Sequence, residues 1–472
     1  MIVKRAAGEI APYLRDASNF PGGFAEEVVI PETLAELIGF LKTNTLPVTI
    51  AGAGTGLTAS RIPESGRIVS LEKFDTLGDL EDGAIEAGPA VTLRALEDRL
   101  QATPYFYPPN PTEWLASIGG TLATNASGSR SFKMGVTRDH VLGAEIVLAD
   151  GRRATLERGQ TIDRPLELDA GGRIEFPAVQ YRSPLCKNAA GYYIQPGMDW
   201  LDLFIGSDGT LGIFTRVRLR LSPRPAEFLS GVLFFDREEA CWDLVIRLRQ
   251  LDRPGIAPCS LEYFDRGSLK RLRREYENIP DRAQAALFFE QDVGRKEDLE
   301  PSLEAWVETL EAFDVLLDDS WFAENARDVA RFHAFRHAIP VMINEENSRL
   351  GRVKIGTDFA VADRHLAEMM ALYRQELGDS GIDHVVFGHL GDNHLHINLL
   401  PAPGEVECAR AVYSSLADRV LEWGGTVSAE HGIGKLKKQY LARMAGPRGI
   451  RDMQAIKQVL DPACLLGRGN LF

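Results

Sequence analysis

Three histidines lie within eight positions, in the stretch His389-Leu390-Gly391-Asp392-Asn393-His394-Leu395-His396, although the chain of 472 residues has only nine. A second stretch, Ser428-Ala429-Glu430-His431-Gly432, adds a carboxylate and a fourth imidazole. Neutral imidazoles with one carboxylate are the ligand set of catalytic divalent metal sites that keep an open position. A histidine beside such a site can act as a general base. The two stretches therefore predict a metal centre with a base next to it.

The histidine spacing suits a strand and a turn. On a strand, His394, His396 and Asn398 point to one face, because side chains alternate with period two. His389 precedes the turn signal Gly391-Asp392-Asn393, so the chain can fold back and bring His389 near His396. Spacing alone leaves open whether His394 or His396 is the ligand. A single buried, hydrogen-bonded histidine would need no metal, but the clustering favours a site.

Length and composition restrict the class of protein. A chain of 472 residues is expected to form two or three domains. Its net charge of −14 argues against a nucleic acid partner. No apolar run reaches the ~18 residues of a membrane span, and the first residues lack the apolar stretch of a signal peptide. Five scattered cysteines without a C-x-x-C pair exclude a cysteine-bound iron–sulfur cluster and indicate a reducing cytoplasm.

Two glycine-rich loops lie in the first 130 residues, at 52–57 and 117–128. The first loop fails the Rossmann fingerprint, because Leu57 stands where the third glycine is required. Backbone N–H groups in such loops can still hold a pyrophosphate, and glycine lets the backbone approach its oxygens. Each loop alone could be a tight turn. Together they predict a cradle for one extended anionic cofactor.

The predicted secondary-structure elements become longer after Ser222-Pro223-Arg224-Pro225, which is the best linker candidate. A helix over 31–44 and short strands at 48–50 and 68–71 come before it. After it, longer strands and helices alternate, which predicts β-α-β units packed on an antiparallel sheet. The predicted strands there are 229–235, 284–290, 352–360 and 384–388, and the predicted helices lie near 237–251, 296–312, 362–378 and 405–423.

Three segments carry a resemblance to a known family. Ile50 to Leu57 and Ser117 to Gly128 are similar to its two pyrophosphate loops, and Gly206-Ser207-Asp208-Gly209-Thr210-Leu211-Gly212 is similar to its G-S-E-G-T-L-G motif, with Asp208 in place of glutamate. The chain thus resembles, over nearly its whole length, the vanillyl-alcohol-oxidase superfamily of flavoproteins. Within that superfamily it resembles the FAD-linked D-2-hydroxyacid dehydrogenases, which act on D-lactate, D-2-hydroxyglutarate or glycolate.

The resemblance implies an α+β fold with bound FAD. It predicts a two-subdomain FAD-binding domain (residues 1–224), an α+β cap or substrate domain with an antiparallel sheet (225–425), and a C-terminal segment (426–472) that returns to the FAD domain with Glu430-His431. The implied cofactor-binding residues are Gly52, Ala53, Gly54, Thr55, Gly56, Leu57, Ser117, Gly119, Gly120, Thr121, Ala123, Thr124, Asn125, Ala126, Gly128, Ile146, Gly209, Gly212 and Ile213.

The resemblance also implies roles in the site. His389, His396 and Glu430 match the metal ligands, and His431 matches the base. The ion is expected to be zinc, with manganese or iron as alternatives. His394 stands in an Asn393-His394 pair where Gly-Asn is commoner, which adds a nitrogen of unknown role.

Three residues match substrate contacts, namely Arg336, Lys354 and Asn398. The alternative for Arg336 is an ion pair with Glu345 or Glu346, and the alternative for Lys354 is an exposed lysine on a strand.

The implied reaction is the oxidation of a D-2-hydroxyacid to the 2-oxoacid, with hydride passing to flavin N5. Electrons would leave for an external acceptor, such as an electron-transfer flavoprotein, a quinone or a cytochrome. The alternatives are an alkyl-ether lipid synthase, which is a flavin-dependent transferase, and a related oxidase that uses oxygen. The expected location is the cytoplasm, with a peripheral position at the inner membrane as an alternative, and a homodimer is considered.

Overall fold

The computed structural model describes residues 1–472. The first sheet has the order β1-β2-β4-β3, in which β1 is antiparallel to β2 and the other neighbours are parallel. Its strands are β1 (Ile2–Lys4), β2 (Glu27–Ile30), β3 (Val48–Ala51) and β4 (Arg67–Ser70), and its helices are α1 (Ala7–Ile10) and α2 (Leu34–Thr43). No helix follows β3 before β4, which agrees with the rejection of a Rossmann loop at residue 52.

The second sheet is antiparallel and has five strands: β5 (Leu77–Glu81), β6 (Ala84–Ala87), β8 (Val141–Val147), β9 (Arg153–Glu157) and β12 (Ile213–Arg220), in the order β5-β6-β12-β8-β9. The helices around it are α3 (Leu93–Leu100), α4 (Ile118–Thr124), α5 (Ser131–Met134) and α6 (Trp200–Phe204). Two short ribbons pair β7 (Tyr105–Phe106) with β13 (Ser222–Pro223), and β10 (Leu166–Glu167) with β11 (Arg173–Ile174). Part of the predicted linker at 222–225 is therefore a strand.

The third sheet is also antiparallel, which confirms the predicted α+β class. Its strands are β14 (Glu227–Phe235), β15 (Ser260–Phe264), β16 (Ala285–Val293), β17 (Trp321–Phe322), β18 (Ile355–Gly356), β19 (Phe359–Ala360), β20 (His384–His389) and β21 (His394–Leu399). The order is β17-β14-β16-β15-β20-β21-β18, and β19 also pairs with β21. The helices that accompany it are α7 (Glu238–Gln250), α8 (Arg266–Leu272), α9 (Leu299–Leu310), α10 (Ala326–Leu350), α11 (Leu366–Ser380) and α12 (Val406–Glu422).

The predicted strand over 352–360 is wrong as a single element. It consists of the two-residue strands β18 and β19, with Thr357 and Asp358 between them, and both strands pair with β21. The Thr357 hydroxyl accepts the backbone N–H of Ile397 at 3.0 Å, so a side chain takes the place of a ladder acceptor. The interruption leaves the Asp358 carboxylate buried beside β21.

Helix α10 was not among the predicted elements, and it carries part of the candidate site. It runs for 25 residues and contains Pro340. Phe332, Phe335, Ile339 and Ile343 are buried on one face at helical spacing. Because that face packs into the core of the third sheet, a neighbouring face holds Arg336 near the sheet.

The C-terminal segment ends on the first sheet. Helix α13 (Lys438–Leu460) kinks at Gly446, where φ is +65°. The chain then reaches β3, where the Val48 N–H donates to the Leu465 carbonyl and the Gly467 N–H donates to the Val48 carbonyl. The domain limits at residues 224 and 425 stay a prediction. No helix is both long enough and apolar enough to cross a bilayer.

Candidate functional site

The hairpin formed by β20 and β21 brings the clustered histidines together. Phe387 lies opposite His396 in the register of the two strands. The turn between the strands closes at Asn393, whose φ of +53° is a left-handed conformation that asparagine tolerates better than most residues. As a result, the ring centroids of His389 and His396 are 5.7 Å apart.

Four side chains form a compact donor group, which we call the histidine cluster: His389, His394, His396 and Glu430. One nitrogen of each ring and one oxygen of the carboxylate lie within 4.8 Å of one another. The structure thus brings the three predicted metal ligands together and adds His394 to them. Such a donor set suits a divalent transition metal ion.

Each imidazole of the cluster has one nitrogen beside an acceptor outside the cluster. The pairs are His389 Nδ1 with Glu262 Oε1 at 2.6 Å, His394 Nε2 with Asp358 Oδ1 at 2.8 Å, and His396 Nδ1 with the Thr357 carbonyl at 3.4 Å. Carboxylates and carbonyls only accept, so these nitrogens carry the protons. The other nitrogen of His394 and of His396 is left with a lone pair, which is the arrangement that orients histidine ligands around metal ions. The other nitrogen of His389, Nε2, lies 3.3 Å from Glu430 Oε1.

Charged neighbours act on the cluster. Burial lowers the pKa of His389, but Glu262 and Glu430 outweigh it and raise that pKa to about 9. Burial lowers the pKa of His394 and of His396, so both rings are neutral near pH 7. A metal ion would therefore have to displace a proton from His389 only.

Glu430 has two partners besides the histidines. Lys187 Nζ lies 2.7 Å from its Oε1, and the Ser127 hydroxyl donates to the same oxygen at 2.7 Å. Burial raises the pKa of Glu430, but Lys187 and His389 outweigh it and hold that pKa well below its usual value. The carboxylate is therefore ionised and able to serve as a ligand.

His431 lies against the cluster without belonging to it. Its ring stacks on His396 with centroids 5.5 Å apart. Its Nδ1 lies 3.1 Å from Asp358 Oδ2, and its side chain is 29% exposed. Burial raises the pKa of Asp358, but the adjacent His431 and Lys437 outweigh it and hold that pKa well below its usual value. An ionised carboxylate favours the proton on Nδ1 of His431, which leaves Nε2 free to accept one.

The three predicted substrate contacts have different surroundings. Arg336 is 8% exposed, and its Nε lies 3.2 Å from Glu262 Oε2 rather than beside Glu345 or Glu346. Asn398 is buried on the same strand as His396, and its Oδ1 faces Gly356.

Lys354 is exposed and donates to Asn344 Oδ1 at 2.8 Å. Asn344 belongs to helix α10.

A cavity of about 450 Å³ lies where the two glycine-rich loops meet. Thirteen of the predicted cofactor residues line it: Gly52, Ala53, Gly54, Thr55, Gly56, Ser117, Gly119, Gly120, Ala123, Thr124, Gly209, Gly212 and Ile213. The other six do not line it: Leu57, Thr121, Asn125, Ala126, Gly128 and Ile146.

Residues away from the wall shape the cavity indirectly. A Cβ on Gly212 would lie 2.5 Å from Cγ2 of Ile146, so Ile146 packs behind the wall. Asn125 ends helix α4 with a φ of +48°, and its Oδ1 accepts the N–H of Arg138. A Cβ on Gly52 would lie 3.3 Å from the Ser117 hydroxyl, so the two loops touch at that point. The glycine-rich wall of the cavity therefore suits a ligand that carries a pyrophosphate group.

The cavity wall is bonded directly to the segment that carries His431. The Thr58 hydroxyl donates to the His431 carbonyl at 3.2 Å. Asp208 Oδ2 accepts the N–H groups of Ile433 and Gly434, each at 3.0 Å. Because Thr58 and Asp208 both line the cavity, a ligand bound there would lie close to the candidate base.

Sequence reasoning did not find three charged residues around the cluster, namely Glu262, Asp358 and Lys187. Each comes from a segment far along the chain from the histidines. The available signal was a carboxylate inside an apolar strand-like run, as in Ser260-Leu261-Glu262-Tyr263-Phe264, because a buried charge needs a partner.

Comparisons with known proteins identify the family of the chain. The family described as FAD linked oxidases, C-terminal domain, matches residues 224–471, and the one described as FAD binding domain matches residues 25–157. The chain is 27% identical to the glycolate oxidase subunit GlcD of Bacillus subtilis (strain 168), over 98% of this chain and 92% of that protein. It is 29% identical to a D-lactate dehydrogenase of Anaerostipes hadrus, over 94% of this chain and 88% of that protein.

A solved structure shows the fold. The structure of p-cresol methylhydroxylase with substrate bound superposes with a TM-score of 0.71 at 15% identity, over 99% of this chain and 93% of that chain. At this identity the likeness concerns the fold alone, which is of the vanillyl-alcohol-oxidase type. The chain therefore belongs to the FAD-linked oxidases and is an FAD-linked oxidoreductase related to the D-lactate, D-2-hydroxyglutarate and glycolate enzymes.

Proposed function

We propose that this protein oxidises a D-2-hydroxyacid to the 2-oxoacid with the help of a divalent ion held by His389, His396 and Glu430. The observation that carries the proposal is the position of His431, whose ring stacks at 5.5 Å on a ring of the histidine cluster. The candidate base is thus adjacent to the histidine cluster, and the segment that carries it is hydrogen-bonded to the wall of the cavity between the glycine-rich loops, which supports the proposal.

The two bound groups would supply the redox and Lewis acid chemistry: FAD accepts the hydride from C2, and the ion lowers the pKa of the substrate hydroxyl. His431 takes the hydroxyl proton on Nε2. Asp358 holds the Nδ1 proton and the orientation of the ring, and its charge stabilises the imidazolium that forms. Proton and hydride together account for the two-electron oxidation.

Arg336 is proposed to orient the substrate carboxylate. Glu262 lies 3.2 Å from its Nε, and His337 Nε2 lies 3.1 Å from its Nη1. The remaining N–H groups of Nη1 and Nη2 can form paired hydrogen bonds to a carboxylate. Asn398, on the same strand as His396, adds a polar contact to the substrate. Lys354 adds a positive charge at the edge of the substrate site. Zinc, manganese and iron all suit the donor set.

The electron acceptor is part of the proposal. The reduced flavin would pass electrons to an electron-transfer flavoprotein, a quinone or a cytochrome, because the cysteines are scattered and no iron–sulfur motif is present in the sequence. Reduction of an artificial dye without oxygen consumption is the expected result. Rapid reoxidation by oxygen would instead support the oxidase alternative.

The test is anaerobic bleaching of the flavin absorbance. The purified holoprotein is mixed with D-lactate, glycolate and D-2-hydroxyglutarate, and with the L enantiomers of the two chiral acids. Bleaching by at least one D acid, much slower bleaching by its L enantiomer, and loss of bleaching after chelation with recovery on adding back Zn²⁺ or Mn²⁺ are expected. Equal bleaching rates before and after complete removal of bound metal would refute metal assistance.

A further inference from the structure

We propose that His394 is a fourth protein ligand of the metal ion, bound through Nδ1, so that the site consists of three imidazoles and the Glu430 carboxylate. This inference rests on the metal site of the proposed function and adds a residue to it. The family resemblance assigns only His389, His396 and Glu430, and it has asparagine as the commoner residue at position 394.

The first argument is the state of the His394 ring. The side chain is completely buried. Its Nε2 is 2.8 Å from Asp358 Oδ1, and the carboxylate can only accept, so Nε2 carries the proton and Nδ1 carries a lone pair. Nδ1 is also buried and has no hydrogen-bond partner. A buried acceptor without a partner destabilises the fold, and a metal ion at Nδ1 would supply the missing partner.

The second argument is position. His394 belongs to the group of donor atoms that lie within 4.8 Å of one another, and its ring centroid is 4.6 Å from that of His396 and 5.2 Å from that of His389. Because Nε2 faces Asp358, Nδ1 is the nitrogen available to the cluster. The strand geometry agrees, because His394 and His396 are two positions apart on β21 and their side chains therefore lie on the same face.

The third argument is the arrangement that His394 shares with His389. Asp358 accepts a hydrogen bond from His394 as Glu262 does from His389. In both pairs a buried carboxylate contacts the ring nitrogen that faces away from the cluster. Carboxylates in this position fix the tautomer of metal-bound histidines. A histidine with only a structural role would not need a lone pair held toward three other donors.

A fourth protein ligand changes which ion fits. Four protein donors and the two oxygens of a chelating 2-hydroxyacid make six, the number that manganese and iron prefer, whereas zinc favours four. We therefore infer a preference for an ion that accepts six donors. Replacing His394 should shift that preference toward zinc.

The test compares three substitutions in the FAD-loaded protein. His394→Asn removes the proposed nitrogen and keeps a polar residue of similar shape, while Glu430→Gln removes a ligand of the proposed function. His384→Asn is the matched control, because His384 lies on β20 outside the cluster and its Nδ1 contacts the Ile382 carbonyl. Dissociation constants for Mn²⁺, Co²⁺ and Zn²⁺ are measured by competition with a chelating dye.

We expect His394→Asn to weaken Mn²⁺ binding ~100-fold or more, since loss of an outer partner alone costs ~10–100-fold. The control should bind as the unmodified protein does. The electron paramagnetic resonance spectrum of Cu²⁺ bound to the unmodified protein gives a second readout, which requires no folded variant. Couplings to three ring nitrogens are expected in the unmodified protein, and couplings to two in His394→Asn.

Two negative outcomes are distinct. If Glu430→Gln loses the ion while His394→Asn keeps full affinity and the unmodified protein couples only two nitrogens, the inference is wrong and the proposed metal site stands. If the unmodified protein binds none of the ions more tightly than Glu430→Gln does, both the metal site and the inference are wrong.

Discussion

The Asp358 carboxylate holds His431 at two points. Its Oδ2 accepts the backbone N–H of His431 at 3.1 Å and lies 3.1 Å from Nδ1 of the ring. Lys437 and Ser428 donate to the same oxygen, so the carboxylate itself is fixed. The ring of the candidate base therefore has one preferred orientation and one preferred tautomer.

Replacing Asp358 by Asn should lower kcat about 100-fold, and replacing His431 by Ala should lower it more, within the ~10²–10⁴-fold range of a general base. An amide can offer an N–H to Nδ1 and so favour the wrong tautomer of the imidazole. Both variants should keep FAD. The measurement is stopped-flow reduction of the flavin under anaerobic conditions.

Two outcomes of this experiment would count against the base role. One is a His431→Ala variant that reduces the flavin at the normal rate. The other is an Asp358→Asn variant that is slower than His431→Ala, because Asp358 would then act mainly on the metal site or on stability. Flavin absorbance before substrate is added serves as the check on cofactor loading.

Arg336→Lys should raise KM about 10-fold with a smaller change in kcat. Lysine keeps the positive charge beside Glu262 but lacks the planar fork that binds a carboxylate with two hydrogen bonds. The matched control is Arg271→Lys, since Arg271 is another buried arginine of the third-sheet region and pairs with Glu346 and Asp383. The control should lower stability without changing KM. Equal KM changes in both variants would contradict a substrate contact at Arg336.

Gly56→Ala should weaken FAD binding about 10-fold or more without destabilising the fold. Gly56 lines the cavity, and a Cβ there meets no protein atom within 4 Å, so the methyl group projects into space that the cofactor needs. Gly39→Ala in helix α2 is the control, because Gly39 also has open space and lies away from the cavity. FAD titration followed by fluorescence gives both dissociation constants, and equal values would place the cofactor away from Gly56.

The sequence was sufficient to predict local arrangements. Period-two alternation placed His394 and His396 on one face of β21, and the Gly391-Asp392-Asn393 turn predicted that His389 folds back onto them. The antiparallel third sheet also followed from local patterns, whereas the α+β class came from the family resemblance. These features depend on residues within about ten positions of one another.

Contacts between distant segments could not be predicted in the same way. Glu262 is 127 positions from His389, and Asp358 is 73 from His431. Which buried carboxylate meets which imidazole depends on sheet order, and no local pattern encodes that order. Helix α10 was missed for a different reason: it contains Pro340, a residue that usually breaks a helix, although the apolar spacing continues on both sides of it. The cavity wall was predicted only in part, because the sequence identified the two loops but did not predict their contact at Gly52 and Ser117.

Glu238 makes the free energy of unfolding depend on pH. Glu238 is the first residue of helix α7 and is half-buried. Burial and the nearby Asp265 charge raise its pKa from 4.5 to about 7. Above pH 4.5 the unfolded chain loses this proton while the folded chain keeps it. The free energy of unfolding therefore falls as pH rises from about 4.5 to about 7.

Glu238→Gln should remove this dependence. The pKa difference corresponds to at most about 3 kcal/mol, and solvent around a half-buried group reduces it. The variant should therefore be more stable than the unmodified protein at pH 8 and little changed at pH 5, as measured by urea unfolding at both values. Glu239→Gln is the control with the opposite sign, because a hydrogen bond from Arg374 lowers the pKa of Glu239. Glu239→Gln should destabilise the protein at pH 8. If Glu238→Gln does the same, hydrogen-bonding and charged partners stabilise the Glu238 carboxylate, and burial does not control its pKa.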